Sequence, residues 1–286
     1  MKVQVVQVPY DSGHRSRRMG RGPEHFFRNG VEESLRQSGN EVHTDTVEAT
    51  SSFRTEIKTA FELHKLVAER VRSAAQRGCF PLVLSGNCNT SLGTIAGLDP
   101  YELGIIWFDG HADFNTPETT TSGSLDGMGL AIATGGCWKA MAQTIPGFRP
   151  VPEANAVLVG SRDIAPAERE RLRRSDATLI EAKLLRRRGM REALGNALDE
   201  LRARVRRVYV HLDLDVLDPG RAPANEFAPP GGMRLEELEE GIREIQERFT
   251  LAGAGVASYD PEYDSGGQVL RAGVRLMEVL TNHSGG

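Results

Sequence analysis

The stretch WFDGHADFNTPETT, residues 107–120, places three ionisable side chains at the end of an apolar run. That run, Leu103–Phe108, has the length and composition of a buried strand. Asp109, His111 and Asp113 alternate after it, so in extended geometry all three point to one side. Charges at a buried position are costly unless they are paired or bind a metal ion. The stretch therefore predicts a strand that ends in a polar site.

A second segment, VYVHLDLDVLDP at residues 208–219, repeats this arrangement. Asp213 and Asp215 share one face directly after an apolar run. One acidic pair could simply cap a helix or order a loop. Two pairs after two buried strands predict a metal site, and carboxylates with an imidazole suit Mn, Fe, Co or Zn. His211 has the parity of Asp213 but lies deeper in its strand, which is more typical of a core or supporting histidine than of a ligand.

Short apolar runs alternate with amphipathic stretches along the whole chain, which predicts an α/β fold with a mostly parallel sheet covered by helices on both faces. No linker divides the sequence, so we expect one domain over residues 1–286. Ligands bind at the carboxyl ends of parallel strands. The predicted strands are 3–8, 82–84, 103–108, 156–160, 177–180, 208–212 and 255–259, and the predicted helices are 55–77, 165–174, 188–204 and 234–248.

Composition narrows the class of protein. Of 286 residues, 39% are hydrophobic and 26% charged, as in ordinary globular chains. The net charge of -4 provides no field for nucleic acid or an anionic membrane. Three cysteines without a disulfide framework fit a reducing compartment. Since the sequence also has no signal-peptide pattern and no apolar run of membrane-spanning length, we expect a cytoplasmic protein that acts on a small molecule.

Two segments, WFDGHADFNTPETTTSG (107–123) and HLDLDVLDPGRAPANEFAPPGGM (211–233), resemble the signature segments of the arginase/agmatinase ureohydrolases. The likeness extends to VPYDSGHRSRRMGRGPEHF (8–26), LSGNCNTSLGTIAG (84–97) and VLVGSRDI (157–164), and so covers nearly the whole chain. Within that family the chain is most similar to the Nω-hydroxyarginine hydrolases of cycloserine biosynthesis. These also have Cys rather than His in the first metal motif.

The resemblance implies a three-layer α/β/α domain, a dinuclear manganese site and a homo-oligomer, either a trimer or a hexamer. It implies that a metal-bridging hydroxide attacks an sp² carbon bonded to nitrogen, while Asp113 carries the proton to the leaving amine. The implied ligands are Cys88 and Asp113 for one ion, His111 and Asp215 for the other, and Asp109 and Asp213 for both.

The chain departs from the family pattern at two positions near the metals. Cys88 stands where the family has a metal-binding His, and a softer ligand shifts preference from Mn toward Zn, Fe, Co or Ni. Alternatively, Cys88 is only a small buried residue. Asp126 stands where family arginases have a His that shuttles protons. It can take that role only if burial raises its pKa.

The substrate side departs further. Ser258 matches the Glu that holds the guanidinium group of arginine, and Ala165 matches an Asp that reads the α-amino group. A buried cation without its carboxylate is poorly bound. Asn115, Ser122 and Ser124 match the substrate-binding loop, and Glu226 is a candidate replacement for the lost anchor.

We therefore predict a metal-dependent hydrolase of a linear C–N bond in a guanidino or amidino compound, with an Nω-substituted arginine as the nearest candidate and free L-arginine excluded. The alternative is a catalytically silent relative with a binding or assembly role, which the residues at 88, 126 and 258 favour. A metal-dependent deacylase is a third option, against which the NTPETTTSG segment argues.

Overall fold

The computed structural model describes residues 1–51, 55–220 and 223–282. Its centre is an eight-stranded sheet in the order β4-β1-β5-β10-β9-β6-β7-β8, in which every neighbouring pair is parallel. Strands β2 and β3 form a separate antiparallel pair. The strands are β1 (Lys2–Val8), β2 (Tyr10–Asp11), β3 (His14–Arg15), β4 (Glu41–Thr46), β5 (Phe80–Ser85), β6 (Leu103–Phe108), β7 (Ala156–Val159), β8 (Thr178–Ile180), β9 (Arg207–Asp213) and β10 (Thr250–Ala257).

Helices cover both faces of the sheet, so the predicted three-layer α/β/α architecture is confirmed. One apolar cluster joins the sheet to α1, α2 and α8–α11, and a second joins it to α3–α7. None of the described helices is both long and apolar enough to cross a membrane. The helices are α1 (Gly22–Arg28), α2 (Val31–Gln37), α3 (Glu56–Gln76), α4 (Ser91–Gly97), α5 (Gly129–Ala133), α6 (Lys139–Ala142), α7 (Pro166–Arg173), α8 (Ala182–Arg188), α9 (Met190–Arg204), α10 (Leu235–Arg248) and α11 (Gln268–Thr281).

Central strands read as continuous apolar runs because both of their faces are covered. Every residue of β6 is buried, and so is every residue of β9 after Arg207. The long helix α3 begins where the Thr55 hydroxyl accepts a hydrogen bond from the Lys58 amide, at 3.3 Å. Its buried residues recur at helical spacing and pack against the sheet.

Four strands differ most from the sequence prediction, and two of them, β2 and β3, form the short antiparallel pair that was not predicted. β10 begins at Thr250, five residues before the predicted start, because its Ala and Gly residues hide the apolar run. Gly255 has a packing reason, since a Cβ there would lie 2.3 Å from the Tyr209 hydroxyl. β4 was not predicted at all. It is an edge strand with mostly polar, exposed residues, which carry no apolar signal.

Candidate metal centre

Four neighbouring strands of the sheet deliver the centre. Asp109 directly follows β6, Asp213 ends β9, Ser258 follows β10, and Cys88 begins a short 3₁₀ turn three residues after β5. β6 pairs with β9 up to Phe108 opposite Leu212, so Asp109 and Asp213 lie at the same level of the sheet. All four side chains are buried. The parallel register thus brings the two acidic segments together.

A cavity of about 470 Å³ opens over these strand ends. The predicted ligands that line it are Cys88, His111, Asp113, Asp213 and Asp215. The predicted substrate-binding residues Asn115, Ser122, Ser124 and Ser258 line it too, together with the predicted proton carrier Asp126.

The ligand atoms form two groups that could each hold a metal ion. In both groups all ligand atoms lie within 4.8 Å of one another, and Asp109 belongs to both. Thiol, carboxylate and imidazole are a donor set that fits divalent transition metals. Asp113 belongs to neither group. One group contains Cys88, Asp109, His211 and Asp213, and the other contains Asp109, His111 and Asp215.

Hydrogen bonds from the backbone and from Trp107 orient the carboxylates. The Trp107 indole donates to Asp109 Oδ2 at 3.0 Å, and the His111 amide donates to Asp109 Oδ1 at 2.7 Å. The Gly110 amide donates to Asp215 Oδ1 at 2.9 Å, and the Asp215 amide donates to Asp213 Oδ1 at 2.8 Å. Gly110 has no room for a side chain, because a Cβ would lie 2.8 Å from Asp215 Oδ1.

Burial and neighbouring charges shift the pKa values of the carboxylates and of the imidazole in the centre. Burial, followed by the neighbouring Asp215 carboxylate, raises the pKa of both Asp109 and Asp213. Burial alone would lower the pKa of His111, but the Asp215 carboxylate and a hydrogen bond to Asp109 raise it. A bound cation would relieve this repulsion, because it favours the ionised form of every carboxylate.

Cys88 sits against one of these carboxylates. Its thiol donates to Asp213 Oδ2 at 2.8 Å, and its sulfur lies 3.3 Å from the Ser258 hydroxyl. Burial and the Asp213 carboxylate raise the pKa of the thiol. Its position among four potential ligand atoms supports a ligand role rather than simple packing.

Asp113 occupies a strained position beside the two groups. Its backbone has φ +49°, a left-handed conformation that is uncommon for residues other than glycine. Its Oδ2 atom is buried and has no hydrogen-bond partner among residues 1–51, 55–220 and 223–282. A carboxylate oxygen left in this way is free to bind a cation or a proton.

Asp126 meets the condition that the sequence analysis set for a proton carrier. Removal from water raises its pKa to about 7, although backbone and side-chain N–H donors oppose the shift. Its carboxylate accepts hydrogen bonds from Asn87 Nδ2 at 2.8 Å, from the Asn89 amide at 2.9 Å and from Asn89 Nδ2 at 3.0 Å. A carboxyl group that titrates near neutral pH can exchange protons during turnover.

A buried histidine supports this carboxylate. Since Asn89 Nδ2 donates to Asp126, its Oδ1 atom accepts the hydrogen bond from His64 Nε2, at 2.8 Å. His64 is fully buried, and the loss of hydration lowers its pKa to about 4. No sequence pattern predicts this chain of contacts, because its members lie on three different segments.

Acid should destabilise the protein through His64. Its pKa is lower in the folded chain (about 4) than in the unfolded chain (about 6.5), so the unfolded chain binds more protons between these values. The free energy of unfolding should therefore fall by about 3 kcal/mol as the pH falls from about 6.5 to about 4. Urea unfolding across this range checks it, with His64→Gln expected to show a shallower slope. Equal slopes in both proteins would contradict the assignment.

The predicted replacement for the guanidinium anchor, Glu226, and two acidic residues near Ser258 are paired with arginines. The Glu226 carboxylate pairs with Arg18 at 2.5 Å, and Glu226 is outside the set of described residues that line the cavity. Asp260 and Glu262 both pair with Arg21. Ser258 stays at the cavity wall with φ +65°, held by a 2.7 Å hydrogen bond from Asn225 Nδ2 to its carbonyl.

Arg162, which was not among the predicted site residues, fixes the segment after β9. Its guanidinium donates to the carbonyls of Asp215 at 2.7 Å, Leu217 at 3.3 Å and Pro229 at 2.6 Å. A lone arginine directly after a predicted strand, in VLVGSRDI, was the available signal. His211 was predicted to be a core or supporting residue, whereas the structure brings it into the group with Cys88.

Comparisons with known proteins find similar sequences and similar structures along nearly the whole chain. The Arginase family model matches residues 1–281. The arginase of Bacillus caldovelox is 30% identical over 295 residues, with 97% of both chains covered. Its native structure at pH 5.6 covers 97% of both chains with a TM-score of 0.88. An arginase structure from Bacillus subtilis has a TM-score of 0.90 at 27% identity, covering 98% of both chains. A formimidoylglutamase from Bacillus subtilis shares the fold at 17% identity and a TM-score of 0.74, covering 98% of this chain and 85% of that one.

Proposed function

The chain belongs to the arginase family, and from that premise we propose that it hydrolyses a C–N bond of a substituted guanidine rather than of free L-arginine. Its fold and relatives identify an arginase-family hydrolase of non-peptide C–N bonds. The nearest candidate substrate is Nω-hydroxyarginine, in line with the resemblance to the hydroxyarginine hydrolases. The observation that carries the proposal is the serine at position 258, beside the metal centre, where the family pattern has a carboxylate.

The uncharged Ser258 side chain at this wall of the cavity argues against binding of a protonated guanidinium. A serine hydroxyl can donate or accept a hydrogen bond but cannot neutralise a buried cation. Asp260 and Glu262, the nearest acidic residues in sequence, are held by Arg21. An oxygen substituent makes a guanidine less basic. A hydroxylated guanidine can therefore bind beside this wall of the cavity in its neutral form. Ser258 can then donate its hydroxyl hydrogen to that group.

The residues that hold the metal would be the six predicted ligands, with Asp109 and Asp213 shared. Two divalent ions would acidify a water molecule and stabilise negative charge that develops on the substrate. Manganese is the first candidate, and iron, cobalt, nickel and zinc stay open because of Cys88. The predicted ligands are Cys88, Asp109, His111, Asp113, Asp213 and Asp215.

The remaining residues would handle protons and the substrate. Asp113 would carry a proton to the leaving nitrogen, and Asp126 would exchange protons with water in the cavity. Asn115, Ser122 and Ser124 would bind the polar end of the substrate. Their side chains line the same cavity as Asp126, which supports this division of roles.

A substrate screen tests the proposal. With Mn, Fe, Co, Ni or Zn added in turn, release of urea, hydroxyurea and ammonia would be followed from L-arginine and from Nω-substituted arginines. Loss of a buried carboxylate partner costs about 3–5 kcal/mol, so kcat/KM for L-arginine should be at least about 100-fold below that for the best substituted substrate. Efficient turnover of L-arginine would contradict the proposal.

Metal analysis separates the enzyme from the alternative of a catalytically silent protein. Protein from cells grown with manganese should contain about two transition-metal ions per chain. A metal-free protein with no turnover in the screen would instead support a binding or assembly role. We also propose that residues 1–286 form one domain, since eight strands between Lys2 and Ala257 share one sheet. The cytoplasmic location and the trimer or hexamer stay predictions.

A further inference from the structure

We propose that His211 binds the same metal ion as Cys88 and Asp213, as a ligand additional to the six that the family pattern implies. The inference rests on the metal centre of the proposed function and not on the identity of the substrate. Its basis is a buried imidazole nitrogen that lies among the ligand atoms of one group. The same strand, β9, carries both His211 and Asp213, two residues apart on one face.

The ring of His211 is held in one orientation. It stacks on the Trp107 ring with centroids 3.7 Å apart and planes inclined by 25°, because β6 and β9 pair Trp107 opposite His211. Its Nδ1 atom lies 3.0 Å from the Ser91 hydroxyl, and that hydroxyl lies 2.8 Å from the Tyr209 hydroxyl. His211 itself is 1% exposed, so water does not reach the ring.

The other ring nitrogen is left unused. Within the part of the chain that the structure describes, His211 Nε2 is buried without a hydrogen-bond partner. Such an atom is costly to bury unless something else binds it. When Nδ1 donates its hydrogen to Ser91 Oγ, Nε2 keeps its lone pair, which is the tautomer that a metal ion requires. A histidine ligand whose second nitrogen donates to a supporting oxygen is the usual arrangement at metal sites.

The neighbouring donors make the site chemically complete. The His211 ring nitrogen, Cys88 Sγ and a carboxylate oxygen of each of Asp109 and Asp213 lie within 4.8 Å of one another. With Asp113 from the six predicted ligands, this ion would have five donors, namely one thiolate, one imidazole and three carboxylates, and such a set suits Zn²⁺ or Co²⁺. Where the family pattern has a histidine, this chain has Cys88. His211 therefore returns one imidazole to that ion from a different strand.

X-ray absorption spectroscopy of the zinc-loaded protein tests the inference directly. The two bound ions together should have two imidazole ligands, one from His111 and one from His211. The His211→Asn variant should have only one imidazole ligand. In the cobalt-loaded protein the same variant should change the d–d bands while the thiolate-to-cobalt band from Cys88 persists. Calorimetric titration of the His211→Asn variant with Zn²⁺ should show one site with unchanged affinity and the other with an affinity about 100-fold or more lower.

Matched controls make the outcomes distinct. His43→Asn changes an exposed histidine of β4 outside both ligand groups, and it should leave both zinc affinities within about twofold of the unchanged protein. The inference is wrong if folded His211→Asn keeps two unchanged sites, or if the unchanged protein shows one imidazole for its two ions. The latter measurement decides the matter even if the variant does not fold. A protein that binds no zinc, cobalt or manganese at all would overturn the metal centre of the proposed function as well.

Discussion

Asp109→Asn is expected to lower the affinity for both metal ions about 100-fold or more, and to lower turnover of the best substrate at least about 1,000-fold. The reason is geometric, because Asp109 is the residue that both ligand groups share. Asparagine keeps the volume and one hydrogen-bond acceptor for Trp107 or the His111 amide, so the fold should survive. The amide removes the negative charge that two cations would share.

The measurement combines metal content by mass spectrometry with kinetics on the substrate that the screen identifies. Asp218→Asn is the matched control, since Asp218 is an exposed carboxylate in the same segment after β9. It should keep both ions and the turnover of the unchanged protein. If Asp109→Asn still held two ions with unchanged affinity, the assignment of a shared ligand would be wrong.

Arg162→Met is expected to lower the free energy of unfolding by about 3–5 kcal/mol. Methionine keeps much of the apolar length but leaves the carbonyls of Asp215, Leu217 and Pro229 without the donor that they now share. These carbonyls belong to the segment that follows β9, so its path over the cavity should loosen. The affinity of the ion nearest Asp215 should weaken with it.

Chemical denaturation followed by circular dichroism measures the change. Arg187→Met provides the comparison, because Arg187 is exposed on α8 and substitutions at such positions usually change stability by less than about 0.5 kcal/mol. Two variants with the same unfolding midpoint would show that the carbonyl contacts of Arg162 contribute little.

Much of the site could be predicted from the sequence because it depends on patterns within short segments. The spacing of Asp109, His111 and Asp113 and of Asp213 and Asp215 indicated two polar strand ends, although the structure ends β6 at Phe108 and places Asp215 in a 3₁₀ turn. The helices predicted at 55–77, 165–174 and 234–248 lie within one residue at each end of α3, α7 and α10. Where the apolar signal weakened, at β4 and in the first half of β10, the sequence could not show the strand.

The roles of single side chains were harder to predict, since they depend on contacts between segments far apart in the chain. Glu226 was a candidate anchor by its residue type, but it lies against Arg18, more than 200 residues away. As a proton carrier, Asp126 needs a raised pKa. The structure provides the reason, because burial raises its pKa even though hydrogen bonds from Asn87 and Asn89 oppose the shift.

By itself, the sequence determined the fold class and the two acidic strand ends, because apolar runs and the acidic residues that follow them can be recognised from neighbouring residues alone. The tertiary structure alone decided that His211 faces Cys88 across the sheet and that Arg162 holds the segment beyond Asp215. The physical reason is that hydrogen bonds and metal coordination act over a few ångströms in space. Which atoms come that close depends on strand order and register, which no single segment encodes.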